Sequence, residues 1–103
     1  LSPQYAAPEQ FDSEKYGSPN TKTDIYQLGT IFYEVFTGTK PFEGETFEIM
    51  NQIQNREPKP PSEVADVPKE LDDVLLKTLS KSKEDRQESV LYLRDGIQDA
   101  FGL

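Results

Sequence analysis

A chain of 103 residues has room for one modest core, and with 34% hydrophobic against 29% charged residues it has few apolar side chains to spare. Nineteen acidic against eleven basic residues leave a net charge of −8, which repels phosphate backbones and anionic headgroups, so no nucleic-acid partner is expected. The lack of cysteine and histidine excludes disulfides, thiolate nucleophiles, zinc-thiolate sites and the commonest general base, leaving carboxylates, hydroxyls and lysines for any chemistry.

Leu1 opens directly on SPQY, with neither a basic region nor an apolar run, so no signal peptide is expected. With no starting methionine, the chain reads as a soluble, cytoplasmic piece of something longer. Residues Leu1–Phe11 hold Pro3 and Pro8 with Tyr5 and small residues between, which predicts an extended loop that turns briefly helical after Pro8. The polar run Asp12–Asn20, with Gly17 and Pro19, predicts a loop.

Thr21–Gly38 is the stretch around which the rest is organised. Between Asp24 and Thr37 nearly every side chain is apolar, aromatic or small and only Glu34 is charged, which predicts a buried helix too short to span a membrane. Thr21 with Asp24 resembles a capping box, Gly38 suits the left-handed C-terminal position, and Pro41 blocks continuation. A tight turn at Thr39–Phe42 leads to ETFEIMNQIQN, where Phe47, Ile49, Met50 and Ile53 recur at near-helical spacing. EPKPPSEVADVP is a proline-broken connector expected to run extended over the surface. Pro68 then opens a helix with Leu71, Val74, Leu75 and Leu79 on one stripe up to Ser80. After the charged turn KSKEDRQ, Ser89 can cap a last helix whose Val90, Leu93, Ile97 and Phe101 face inward, with Gly96 costing about 1 kcal/mol against alanine. Nothing reads as a strand. The expected fold is all-α, with about four helices packed around one buried central helix in a single unit over residues 1–103.

Four short motifs in this order resemble the protein kinase family. SPQYAAPEQF resembles the end of a kinase activation loop, with Ala7, Pro8 and Glu9 on its A-P-E motif. DIYQLG matches the family's Asp-x-aromatic-x-x-Gly at Asp24, Tyr26 and Gly29, and GTKPF its Gly-x-x-Pro-Phe at Gly38, Pro41 and Phe42. Asp85 and Arg86 fall where the family has an Asp-Arg pair before its last helix. The resemblance spans Ser2 to about Ile97 and implies the lower part of a kinase C-terminal lobe.

The resemblance also implies roles. Glu9 would pair with Arg86, a bidentate contact able to pin a loop to a distant helix, where two surface charges would be worth under about 1 kcal/mol. Asp24 would accept hydrogen bonds from the catalytic-loop backbone, a role compatible with simple helix capping. Gly29 belongs to the same motif. Ile31 and Val35 would support the apolar column rising to the adenine pocket, a statement close to that of ordinary core. Ser2 would help hold the catalytic aspartate and lysine, while Pro3 and Tyr5 would shape the pocket for the residue after the acceptor. The S-P-x-Y-x-A-P-E wording resembles serine/threonine kinases, since tyrosine kinases typically carry proline where Ser2 stands and tryptophan near Tyr5. Leu1 departs from the usual glycine, and Gln87 from a frequent aromatic, which is expected to remove some packing. The Phe47–Ile53 helix matches the family's docking helix, while EKYGSPNTK carries no motif and reads as solvated surface.

Phosphoryl transfer needs a glycine-rich loop, a phosphate-binding lysine, a catalytic Asp and Asn, and a metal-binding Asp. The sequence has no G-x-G-x-x-G, no D-F-G and no H-R-D. The 103 residues are therefore expected to hold no catalytic group, metal or cofactor of their own, while the longer parent would use ATP and Mg2+ on a protein substrate. Loss of the covering helices is expected to favour self-association or a domain swap. A pseudokinase or scaffold lobe acting as an interaction module remains the alternative, and an unrelated acidic helical module a third.

Overall fold

A computed structural model describes residues 2–103; Leu1, the expected departure from glycine, lies outside them. Seven α-helices form among the described residues: α1 Pro8–Phe11, α2 Ser13–Tyr16, α3 Thr21–Thr37, α4 Thr46–Asn55, α5 Pro61–Val64, α6 Glu70–Thr78 and α7 Val90–Ala100. Two 3-10 turns, Pro3–Tyr5 and Lys83–Asp85, complete the order, and no strand is present among the described residues. The all-α architecture is the expected one.

The long helix α3 ends where glycine predicts: Gly38 sits at φ 82° and its N–H reaches the Glu34 carbonyl at 2.8 Å. Its start differs from expectation. The cap is Asn20, whose side chain accepts from the Lys22 N–H at 2.9 Å, and the reciprocal bond runs from the Asn20 N–H to the Thr23 hydroxyl at 3.0 Å. Asp24 lies exposed and takes no part. The expected burial all round is also corrected. Ile25, Tyr26, Gly29, Thr30 and Tyr33 face the core, whereas Ile31 and Val35 remain 44% and 68% exposed, because no described element covers that side.

The core joins Tyr26 and Tyr33 of α3 to Ile49 and Ile53 of α4, to Leu71 and Leu75 of α6, and to Ala7, Phe42 and Leu79. Each fully buried aliphatic side chain contributes about 1.5–3 kcal/mol. Two of the four apolar positions of α4 are thus core; Phe47 is 85% exposed. Helix α6 packs against α3, α5 and α7. It can approach α3 so closely because Gly29 has no side chain: a Cβ there would lie 2.4 Å from Thr78 Cγ2. Gly96 does the same for α7, where a Cβ would meet the Val74 methyls at 3.1 and 3.2 Å, so its propensity cost is offset by packing.

Several local expectations change. The polar run after Phe11 forms α2, because the Asp12 carboxylate accepts from the Lys15 N–H at 3.1 Å and Gly17, at φ 87°, ends the turn. The connector is not simply extended: Pro58 and Pro61 are buried, Pro61 opens α5, and the Asp72 carboxylate accepts from the Ser62 N–H at 2.8 Å and hydroxyl at 2.6 Å. Helix α6 begins at Glu70 rather than at Pro68. On α7, Leu93 is buried as expected, but Val90 is 48% and Phe101 37% exposed, and Ser89 makes no side-chain cap bond. Gln87 compensates for the missing aromatic by bonding: it accepts from the Thr78 hydroxyl at 3.1 Å and donates to the Val74 carbonyl at 3.1 Å.

The Thr78 hydroxyl, held by Gln87 and by the Val74 carbonyl at 2.8 Å, cannot swing its methyl away from position 29. Gly29→Ala gains up to about 1 kcal/mol in helix propensity and loses about 1–3 to overpacking. With only 2.4 Å between the added Cβ and Thr78 Cγ2 the clash wins, and a net destabilisation of about 1–2 kcal/mol is expected in chemical denaturation, partly reversed by adding Thr78→Ser.

Lys81 is the second weak point. Its Nζ is buried without a hydrogen-bond partner, 4.8 Å from the Phe42 ring centre. Burial pushes its pKa down to about 8, with Glu57 opposing and Arg86 reinforcing the shift. The unfolded chain therefore binds more protons from about pH 8 upward, so stability due to Lys81 rises with pH through that window. Lys81→Met is expected to raise the melting midpoint at pH 7 and to flatten the rise between about pH 8 and 9.5; an unchanged pH profile refutes this.

Candidate functional site

The N-terminal segment is fastened to the helices at two places. The first is built on α1. Pro8 opens it without an N–H to satisfy, and the Gln10 side chain accepts from the Ala7 N–H at 2.9 Å. Ala6 and Ala7 are fully buried, small enough for the backbone to enter the core. This directs Glu9, 1% exposed, at Arg86, also 1% exposed. Arg86 Nη1 donates to Glu9 Oε2 at 2.7 Å and Nη2 to Oε1 at 2.9 Å.

The remaining N–H groups of Arg86 are used as well. Nε donates to the Ser80 carbonyl at 2.9 Å, Nη1 to that of Lys22 at 3.0 Å, and Nη2 to that of Lys81 at 3.2 Å. All five donors of the fork thus have an acceptor, and the guanidinium lies 4.8 Å from the Tyr26 ring centre. The Thr23 hydroxyl donates to Glu9 Oε2 at 2.6 Å while accepting from Asn20, so the α3 cap and the ion pair share one atom. Burial alone would raise the Glu9 pKa; the bonds from Arg86 and Thr23 outweigh it and hold the carboxyl below its usual range.

The second fastening lies at the other end of α3. The Tyr5 hydroxyl donates to Glu34 Oε1 at 2.7 Å, and Lys40 Nζ is 3.1 Å from Glu34 Oε2 and 5.7 Å from the Tyr5 ring centre. The hydrogen bond from Tyr5, then that from Lys40, lowers the Glu34 pKa; the same bond raises the Tyr5 pKa and Glu34 raises that of Lys40.

The structure thus brings Tyr5, Ala7, Pro8, Glu9 and Arg86 into two anchoring clusters on α3. Ser2 is exposed at the N-cap of the first 3-10 turn and makes no cap bond, and Pro3 begins that turn partly buried. Gly29 lies in the α3–α6 contact. Asp24, Ile31 and Val35 lie exposed on α3 and make none of the bonds of either cluster. Sequence reasoning missed Thr23, Glu34 and Lys40. Glu34 carried a signal, as the single charge in an apolar run, and the Asn-x-x-Thr spacing at Asn20 and Thr23 was a second. Among the described residues no group of three or more His, Cys, Asp or Glu gathers where it could hold a metal. With its donors and acceptors committed to one another, the arrangement can position a segment but offers no free base or nucleophile.

A family model described as protein kinase domain matches residues 1–95. The chain is 38% identical over 93 residues to the serine/threonine-protein kinase PknB of Mycolicibacterium smegmatis, covering 88% of this chain and 14% of that protein. It is 37% identical over 103 residues to the serine/threonine-protein kinase Pkn1 of Myxococcus xanthus, covering 97% and 14%. It is 33% identical over 96 residues to the tyrosine-protein kinase MasK of Myxococcus xanthus, covering 91% and 14%. The chain therefore spans about 14% of the length of the curated relatives it matches.

Because every polar atom of the Glu9–Arg86 knot is satisfied, removing the carboxylate leaves a buried cation uncompensated. Glu9→Gln is expected to cost about 3–5 kcal/mol in denaturant unfolding, and a loss under about 1 kcal/mol would mark the pair as ordinary surface charge. With its folded pKa lowered, Glu9 contributes stability above the ordinary carboxylate range that is lost as pH falls through the lowered value, so the variant's acid-unfolding curve should be flatter.

Proposed function

This chain belongs to the protein kinase family, and we propose that it supplies the substrate-facing loop and helical scaffold of a serine/threonine protein kinase, which transfers phosphate from ATP to protein hydroxyls. The observation that carries this reading is the buried, fully bonded Glu9–Arg86 pair, supported at the far end of α3 by Tyr5 and Glu34. Two anchors hold Ser2–Glu9 in one path, which is what presenting an acceptor hydroxyl to a reactive phosphate requires. In this reading Ser2, Pro3 and Tyr5 line the substrate path, and Ala7, Pro8, Glu9 and Arg86 fix it. Asp24, Gly29, Ile31 and Val35 belong to the helix that supports the catalytic loop, with the open side of α3 receiving the rest of the lobe. The serine/threonine choice rests on the Ser2 and Tyr5 pattern and on the names of PknB and Pkn1, while the tyrosine-kinase name of MasK makes it worth testing.

ATP and Mg2+ belong, in this proposal, to the whole kinase. The residues of this chain do not suit them: the phosphate loop, the catalytic Asp and Asn and the metal-binding Asp have no counterpart in its sequence. No described helix is long and apolar enough to cross a membrane, and we place the kinase domain in the cytoplasm. A second reading, a pseudokinase or scaffold lobe, is favoured by one observation: Phe47 stands 85% exposed on α4, as a protein-contact residue would.

The full-length protein, incubated with ATP, Mg2+ and a mixed protein substrate, is expected to yield phosphoserine or phosphothreonine. Phosphotyrosine alone would overturn the hydroxyl assignment, and no transfer would favour the scaffold. The purified 103-residue polypeptide is expected to show no micromolar ATP binding and to self-associate through the uncovered side of α3; tight ATP binding or a strictly monomeric sedimentation profile at high concentration argues against this.

A further inference from the structure

Beside the first anchor, the contact between α6 and α7 opens into a groove of about 490 Å3, a size at which protein pockets hold ligand side chains. Its lining is largely apolar. Val74 and Gly96 form the floor, and the glycine keeps that floor low because any side chain there would press on Val74. The Tyr92 ring, 64% exposed, borders it on α7. The rim is acidic: Asp73, Glu84 and Glu88, all exposed, surround the opening. Among the described residues, Lys77 is the one cation lining the groove outside an ion pair, since Arg86, which also borders it, has its five donors committed. Glu88 meets Lys22 at only 3.9 Å with its own side chain 80% exposed.

We propose that this groove docks a basic peptide segment, which lays one aliphatic side chain between Val74 and Tyr92 and sets flanking arginines or lysines against Asp73, Glu84 and Glu88. Charge selects this occupant. Nucleic acid, an anionic bilayer or an acidic peptide meets like charge at the rim, and a second copy of this chain brings a net charge of −8. An uncharged apolar ligand fills the floor but makes no use of the three carboxylates. A guanidinium satisfies them and can in addition stack on the exposed Tyr92 face. The inference uses no part of the phosphoryl-transfer reading and stands or falls by binding alone.

The test titrates the chain with the peptide Ac-Arg-Arg-Leu-Arg-NH2, following amide NMR shifts and heat at low salt, with Ac-Glu-Glu-Leu-Glu-NH2 and Ac-Arg-Arg-Ser-Arg-NH2 as controls. The leucine-containing basic peptide is expected to bind tightest, to shift amides around Val74, Tyr92 and Gly96, and to weaken as salt is raised. Tyr92→Ala, at an exposed ring and so harmless to the fold, is expected to weaken binding about threefold to tenfold. The Glu84→Gln/Glu88→Gln pair is expected to weaken it about fivefold and to flatten the salt dependence. Equal binding of the acidic peptide, shifts centred elsewhere, insensitivity to both variants, or no binding at millimolar peptide overturns the proposal.

Discussion

One ion pair governs the relation between the first residues of this chain and its last third. Glu9 and Arg86 meet with neither exposed by more than 1%, and such burial is tolerable only because every donor and acceptor is matched. The carboxylate takes two bonds from the guanidinium and one from Thr23; the guanidinium spends its other donors on three backbone carbonyls. Those carbonyls belong to Lys22, Ser80 and Lys81, so a single side chain ties the start of α3 to the strand of chain that follows α6. The pair contributes position more than net stability, since matched apolar side chains of equal volume could stabilise the same space as well.

Close packing supplies what the small core lacks. Helix α6 lies between α3 and α7 at contacts where Gly29 and Gly96 bring backbone against side chain. Both neighbours of these glycines, Thr78 and Val74, are linked through Gln87, which bonds to the hydroxyl of one and the carbonyl of the other. The two crossings are therefore mechanically joined: the side chain that limits α3 is held by the residue that begins the approach to α7.

The fold class and the limits of α3 were legible because glycine, proline and apolar periodicity are local signals, and Gly38 with Pro41 marks a helix end wherever they stand. The Asn20 cap was legible in principle and was misassigned by one residue, since Thr21 offers the same chemistry. Burial was not legible. Ile31 and Val35 are as apolar as Ile25 and Tyr26, and hydrophobicity cannot say which side of a helix finds a neighbour within the same chain. Pro60 and Pro61 read as breakers of regular structure, yet Pro61 is a good first helical residue once Asp72 accepts from the N–H of Ser62, ten positions before it. Gly96 looked like a cost because its benefit lies in Val74, on another helix. The Glu9–Arg86 contact, 77 positions apart, obeys no periodic rule and was readable only through the resemblance to kinases.

That separation has a kinetic consequence. Closing so long a loop is entropically costly and comes late, after local helices have formed. During synthesis, the stretch from Ala6 to Glu9 waits for a residue made 77 positions after Glu9 before α1 can dock. Docking of the N-terminal segment is thereby a report that the chain has been translated through Arg86, and any product stopping short of it keeps that segment loose and open to proteases.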